Sequence, residues 1–321
     1  MAAFALRRLL WAIPTLLVVF TLTFFMLRAV GGSPFRHGPL LGLGNPAWAK
    51  YNDRQPDAIA SNMARKYGLD LPWYRQYLNY LEGVVRLDLG PSLTYKNRTV
   101  NEIVREQARP TVEIGLLAFA LALGVGIPLG ALAALRAGSV VDYGARLLGS
   151  VGIAVPSFLL ATMLIYVVAV KLGRLPTSGW ESGLRFTVLP AVALALLPLA
   201  YVVRLVRGAM LETLQQDYVR AAVAKGLRRR AVVLRHVLRN SLIPVVTAAG
   251  PLFGFLVTGS FVIESVFAIP GIGRYYVAAV AARDYPLVLG LTVILATIVV
   301  LVNLAVDILY GVLDPRVREA R

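Results

Sequence analysis

From Asp217 to Pro244 the chain reads DYVRAAVAKGLRRRAVVLRHVLRNSLIP, its densest collection of groups able to engage another molecule. Arg220, Lys225, Arg228, Arg229, Arg230, Arg235 and Arg239 supply positive charge, Asp217 a carboxylate and Tyr218 an amphipathic ring. Each cation would cost about 2.5–3.5 kcal/mol at the centre of a bilayer, so the stretch lies outside hydrocarbon. Val219, Ala221, Ala222, Leu227, Val233, Leu234, Val237 and Leu238 recur near helical spacing, and Gly226 breaks the pattern in two. A basic helical hairpin with an apolar face suits non-covalent work, the gripping of a soluble protein. Long apolar runs flank it, and a chain that only reverses direction at a membrane surface needs nothing so structured.

Covalent chemistry has little to work with elsewhere. There is no GxxxxGK[ST] to cradle phosphates, no HExxH, no GxSxG and no GxGxxG between strand and helix. The chain has no cysteine and two histidines, His37 and His236, so catalytic, cofactor and metal residues are all expected to be none. Carboxylates are nearly absent from apolar segments. Glu113 and Glu264 fall at segment ends, and Asp307 lies near the inner end of the last, where capping or pairing is the favoured role over transport. A self-sufficient, ion-coupled secondary carrier usually places ionisable groups near the bilayer midplane, and here that layer is apolar. That carrier is the alternative reading, and uptake driven by an ion gradient alone would revive it. A membrane-embedded enzyme or scaffold is a third and weaker one.

The elements that must position the hairpin are membrane helices. Hydrophobic residues make up 58% of 321 and charged residues 16%, which places the chain among all-α polytopic membrane proteins. The net charge of +16 fits basic loops that set orientation better than it fits a nucleic-acid partner. Apolar runs at 9–30, 112–135, 147–170, 186–206, 242–263 and 287–310 are each near the length a bilayer requires, giving six expected spans. The first has a longer apolar core than a secretory signal and no small-residue cleavage site at its end, so it reads as a retained span. Basic residues concentrate in the loops that share a side with the termini, putting both termini and the hairpin in the cytoplasm.

Four regions follow: a first transmembrane helix 1–30, an extracytoplasmic segment 31–111, a five-helix core 112–310 containing the hairpin 207–241, and a tail 311–321. Apolar spacing at Ile59, Met63 and Tyr67, then at Tyr74, Tyr77, Leu78 and Leu81, predicts two short amphipathic helices in the outer segment, parted at 68–72. Small residues at four-residue spacing, Ala118, Ala122, Gly126, Gly130 and Ala134 in one span and Gly250, Gly254 and Thr258 in another, predict close helix packing rather than a substrate lining.

Several of these motifs together resemble the dipeptide/oligopeptide/nickel branch of the ATP-binding-cassette importer permeases, specifically the permease type with a long outer segment after span one. The hairpin resembles their cytoplasmic EAA-type loop in Asp217-Tyr218-Val219-Arg220-Ala221-Ala222, Ala224-Lys225-Gly226-Leu227 and Arg239-Asn240-Ser241-Leu242-Ile243-Pro244. The likeness continues through Arg7-Arg8-Leu9-Leu10, Tyr67-Gly68-Leu69-Asp70, Gly126-Ile127-Pro128-Leu129-Gly130, Glu264-Ser265-Val266-Phe267, Pro270-Gly271-Ile272-Gly273, Arg283-Asp284-Tyr285-Pro286 and Asp314-Pro315-Arg316. Arg220 stands where the generic loop carries its glutamate, and 30–34 lacks the family's Pro-Gly-Asp turn.

The resemblance implies a type I importer permease fold of six transmembrane helices. It implies a multi-pass location in the cytoplasmic membrane of a bacterium or archaeon, among lipid. A second, non-identical permease, two cytoplasmic ATPase subunits that hydrolyse ATP, and an extracytoplasmic solute-binding protein would be the partners. ATPase coupling would centre on Asp217, Tyr218, Arg220, Ala221, Ala222, Lys225, Gly226 and Leu227, with Ala221 and Ala222 as a flat face and Gly226 allowing close approach or a sharp turn. Residues 57–110 and Glu264, Phe267, Pro270, Gly271, Gly273, Asp284 and Tyr285 would form an outer gate or dock the binding protein. Whether 264–286 is a re-entrant excursion or an ordinary folded loop stays open, as does the cargo among dipeptides, oligopeptides, nickel complexes, glutathione and oligosaccharides.

Overall fold

The computed structural model describes residues 2–30, 64–181, 183–258 and 260–313. The 35–55 stretch, residues 31–34, Ile59 and Met63 of the first outer amphipathic helix, the side chain of Asp307 and the Asp314-Pro315-Arg316 motif lie outside the described residues. Among the described residues the regular structure is helical. We number the helices α1 (Ala2–Val30), α2 (Trp73–Val85), α3 (Val100–Leu135), α4 (Val140–Ala154) and α5 (Ser157–Leu164, continuing as a π-helix Ile165–Lys171). Next come α6 (Leu184–Leu214), α7 (Asp217–Ala224) and α8, built from Arg229–Ala231, a π-helical Val232–Leu238 and Arg239–Ser241. The last four are α9 (Ile243–Thr258), α10 (Ser260–Val266), α11 (Ile272–Ala282) and α12 (Tyr285–Leu313).

Five of the six expected spans coincide with helical stretches long and apolar enough to cross a membrane. The third is not one straight rod. It starts earlier than expected, at Val140, and breaks into α4 and α5 at an angle of 108°. Pro156 is the physical reason: it lacks an N–H and drives the preceding residue out of the helical region, and Val155 is extended at φ −86, ψ 121. The helix of the second expected span is longer than that span, running 36 residues from Val100 with Pro110 and Pro128 inside it. In the outer segment, α2 forms where the apolar spacing predicts it, beginning after Pro72.

The chain divides into two compact units, one of residues 1–6, 110–269 and 299–321, the other of 7–109 and 270–298. In the first unit α6 is the central post, with 61% of its most apolar stretch buried. The small-residue stripe of α3 packs onto it. Ala118, Ala122 and Ala134 are buried, and a Cβ on Gly130 would fall 2.7 Å from the Val203 carbonyl oxygen, a distance only glycine tolerates. The second stripe does the same: a Cβ on Gly250 would meet Asn303 Oδ1 at 2.5 Å. Both stripes are therefore packing seams within this chain.

In the second unit, α1 and α2 join through an aromatic cluster of Phe20, Phe24, Tyr77 and Tyr80 that also takes in Leu289 and Val293 of α12. The Tyr77 ring lies 5.4 Å from those of Phe20 and Phe24, and its hydroxyl is 2.8 Å from Thr21 Oγ. Asp284 organises the rest of this unit. Fully buried, it accepts hydrogen bonds from Ser92 Oγ at 2.5 Å and Thr94 N at 2.9 Å, while its other oxygen caps α12 by accepting from Leu287 N at 3.2 Å. Burial, with that carboxylate nearby, pushes the Tyr80 phenol well above its usual range and keeps it neutral.

Candidate functional site

The hairpin begins where α6 stops. Gln215 and Gln216 break the helix, and Gln216 is extended at φ −71, ψ 145, which starts α7 in a new direction. After about two turns of helix, Gly226 takes φ +76 and ends it. Its N–H bonds to Val223 O at 2.9 Å and the Leu227 N–H reaches Ala222 O, so glycine satisfies carbonyls that the helix end leaves open. No atom lies within 4 Å of where a Gly226 Cβ would stand. Of the two roles expected for this glycine, the sharp turn is the one seen within this chain.

Underneath, the hairpin is bolted down. Val219 and Ala222 of α7 and Val232 and Val237 of α8 are buried against Val206, Met210, Ala134 and Val245. Each such aliphatic side chain contributes about 1.5–3 kcal/mol relative to exposure. The π-helical turn decides which α8 residues face inward: i→i+5 winding aligns Val232 with Val237 and leaves Leu234 half exposed. Ser241 closes the arch, its hydroxyl donating to Val237 O at 2.8 Å and lying 3.1 Å from Thr213 Oγ of α6. Both legs of the hairpin are thus tied to the end of α6.

Its outer side stays open. Asp217, Tyr218, Arg220, Ala221, Lys225, Gly226 and Leu227 are all exposed, so seven of the eight expected coupling positions share the free surface. Ala222 does not; it lies in the hairpin core with Val219 because the α7 stripe facing α6 passes through both. Asp217 and Arg220 approach to 3.5 Å, but their side chains are 97% and 72% exposed, so the pair adds little stability and leaves both groups to a partner. Tyr218 is oriented by Asn240, whose Nδ2 donates to its hydroxyl at 2.8 Å. A groove of about 620 Å³ opens between α7 and α8, with Val223, Leu227 and Val233 in its walls and Arg220 and Arg229 among its lining. An apolar cleft edged by cations fits a protein that offers an apolar knob among carboxylates.

Sequence reasoning missed a second device on α6. Arg207, two turns before the end of α6, donates from Nε and Nη2 to both oxygens of Asp142 at the start of α4, the latter at 2.9 Å. Asp142 is almost fully buried and also accepts from Gly138 N at 2.9 Å. This bidentate clamp joins α4 to the end of α6 that carries the hairpin. The available signal was Ser139-x-x-Asp142, a helix-start pattern, and Ser139 is the N-cap.

The residues expected at the outer gate or docking face are mostly interior. Glu264 and Asp284 have no exposure, Phe267 has 2%, Gly271 and Gly273 are buried, and Pro270 and Tyr285 are half-buried. Glu264 Oε1 accepts from Thr111 Oγ at 2.7 Å, and Asp284 serves the clasp described above. Within this chain the two carboxylates stitch segments together. Residues 264–286 are also no plain loop, since α11 occupies most of their second half.

Residues 126–319 match the family described as binding-protein-dependent transport system inner membrane component. The oligopeptide transport system permease protein OppB of Haemophilus influenzae is 39% identical over 319 residues, covering 99% of this chain and 100% of that protein. The dipeptide transport system permease protein DppB of Bacillus subtilis is 40% identical, covering 99% and 98%. Among solved structures, an inward-facing conformation of the MetNI methionine ABC transporter aligns with 66% of this chain and 96% of its own, at TM-score 0.53 and 19% identity, a likeness of fold. With five apolar membrane-length helices and one bent pair among the described residues, a basic hairpin, and full-length likeness to known permeases, the chain belongs to the family of binding-protein-dependent transport system inner membrane components.

Proposed function

We propose that this chain is the permease of an ATP-driven importer for peptides, forming half of the translocation pathway. The full-length relatives named for oligopeptide and dipeptide transport support the cargo class. The observation that carries the mechanism is the hairpin: exposed and basic outside, anchored at both legs to α6 inside. It meets a cytoplasmic ATPase subunit through Asp217, Tyr218, Arg220, Ala221, Lys225 and Leu227, and ATP is hydrolysed in that subunit while this chain contributes no catalytic site. A homologous but non-identical permease completes the pathway, and an extracytoplasmic binding protein delivers the peptide.

Coupling then follows from stiffness. Closure of the ATPases displaces α7. Since Val219 and Ala222 are packed against α6 and Ser241 is bonded to Thr213, the displacement moves α6 with it. Arg207 passes the motion to α4 through Asp142. ATP shifts the pathway between inward and outward states only through contacts that differ between them, and the hairpin supplies those contacts.

The test is Gly226→Val in the complex reconstituted with its sister permease, ATPases and binding protein. The expected outcome is normal membrane insertion, continuing ATP hydrolysis and loss of peptide uptake. Uptake and hydrolysis both at wild-type levels would remove the coupling role from this turn.

A further inference from the structure

A groove between α6 and α9 is untouched by the coupling hairpin. One part, about 720 Å³, is walled by apolar side chains such as Leu197, Pro251 and Phe255. A second part of about 390 Å³ adjoins it through shared Tyr201, Leu205 and Pro244 and is lined by Arg204, Gly208 and Glu212 of α6. From Leu197 to Glu212 the groove follows one face of α6 for about 22 Å, at 1.5 Å per residue.

The two charges on that face stand apart from the others on this helix. Arg207 is consumed by Asp142. Arg204 and Glu212 are exposed, and among the described residues neither side chain has an ion pair or hydrogen bond. Between them Gly208 leaves a notch, with nothing within 4 Å of where its Cβ would stand. Opposite charges on a membrane helix face water or protein rather than lipid tails. Eight residues of helix separate them by about 12 Å. An extended peptide of three residues spans about 10–11 Å between its terminal charges.

On these grounds we infer that the α6–α9 groove is the stretch of pathway along which a short zwitterionic peptide passes, its carboxylate meeting Arg204, its ammonium meeting Glu212, and its side chains lying against Leu205, Ala209 and Pro244. Exposed ion pairs are weak, so such contacts guide a solute without holding it. The inference rests on the peptide-import reading and adds the residues that read the cargo.

The chain contains no cysteine, so single cysteines can be placed without removing any. The complete importer is reconstituted in proteoliposomes with tri-alanine, N-acetyl-tri-alanine and tri-alanine amide as cargo. Arg204→Glu is expected to lower uptake of the two peptides with a free carboxylate severalfold while sparing the amide. Glu212→Lys should lower the two with a free amine and spare the acetylated form. Arg204→Gln and Glu212→Gln, which remove charge without reversing it, repeat the comparison if either reversal prevents assembly. In Gly208→Cys, labelling by a membrane-impermeant maleimide from the hairpin side should slow when tri-alanine is being transported. Equal loss for all three peptides, or Gly208→Cys cross-linking to the sister permease with and without ATP, overturns the groove assignment. If the wild-type importer takes up none of the three peptides, the cargo reading itself falls and the inference with it.

Discussion

The hairpin of residues 217–241 and the clasp around Asp284 both use polar side chains, and they use them in opposite ways. In the hairpin the charges point outward, the one ion pair is solvated, and the interior is aliphatic. In the clasp a fully buried carboxylate collects Ser92, Thr94 and Leu287, and every donor comes from this same chain. A carboxylate satisfied internally contributes to architecture and has nothing left for a visitor. A charge left in water costs little and remains available for one. The contrast separates residues that hold this permease together from those that let it be moved. Asp142 belongs with the clasp by burial, although it connects to the helix that carries the hairpin.

Substitutions can break that contrast, beginning with the largest expected effect. Asp142→Ala strands Arg207 and should give the largest loss of stability, read as a lower thermal midpoint of the purified complex. Asp284→Ala removes the α12 cap and leaves Ser92 Oγ and Leu287 N, both buried, without this acceptor, for about 3 kcal/mol in the same assay. Gly226→Val forces a branched residue into a left-handed turn, costing about 1–2 kcal/mol locally. Its effect on uptake should exceed its effect on stability, the reverse of Asp284→Ala. Tyr218→Phe gives up one exposed hydrogen bond and should cost under about 1 kcal/mol, while cross-linking of the hairpin to the ATPase weakens.

A pH series sharpens the same division. The Tyr80 phenol is raised by burial, so its stabilising effect is complete below the unfolded tyrosine value near 10 and is lost as pH climbs beyond it. Stability of the wild type should fall above about pH 10 more steeply than that of Tyr80→Phe. No such difference would mean that Tyr80 is solvated.

Much of this was legible in the residues. Apolar runs of bilayer length have few structural alternatives, and α1, α3, α6, α9 and α12 appear where those runs lie. The hairpin was legible because cations cannot enter hydrocarbon and Gly226 interrupts a helical period. The break at Val155–Pro156 was harder, since a membrane helix can also run on through a proline, as α3 does at Pro128. Periodicity also failed locally in α8. A spacing of 3.6 groups Val233 and Leu234 with Val237, whereas the π-turn turns Val232 inward and Leu234 out.

Composition and pattern by themselves determined that this is a multi-pass helical membrane protein with a basic hairpin set apart from its spans. Those properties follow from how each residue partitions between water, hydrocarbon and helix, which is local physics. Only the tertiary structure decided that Asp142 and Arg207 meet across 65 residues, that Asp284 faces Ser92, and that Glu264 is buried against Thr111. Such outcomes depend on which distant segment occupies the neighbouring space. A carboxylate has the same chemistry in either place, and the fold alone settles whether its donors come from the chain or from outside.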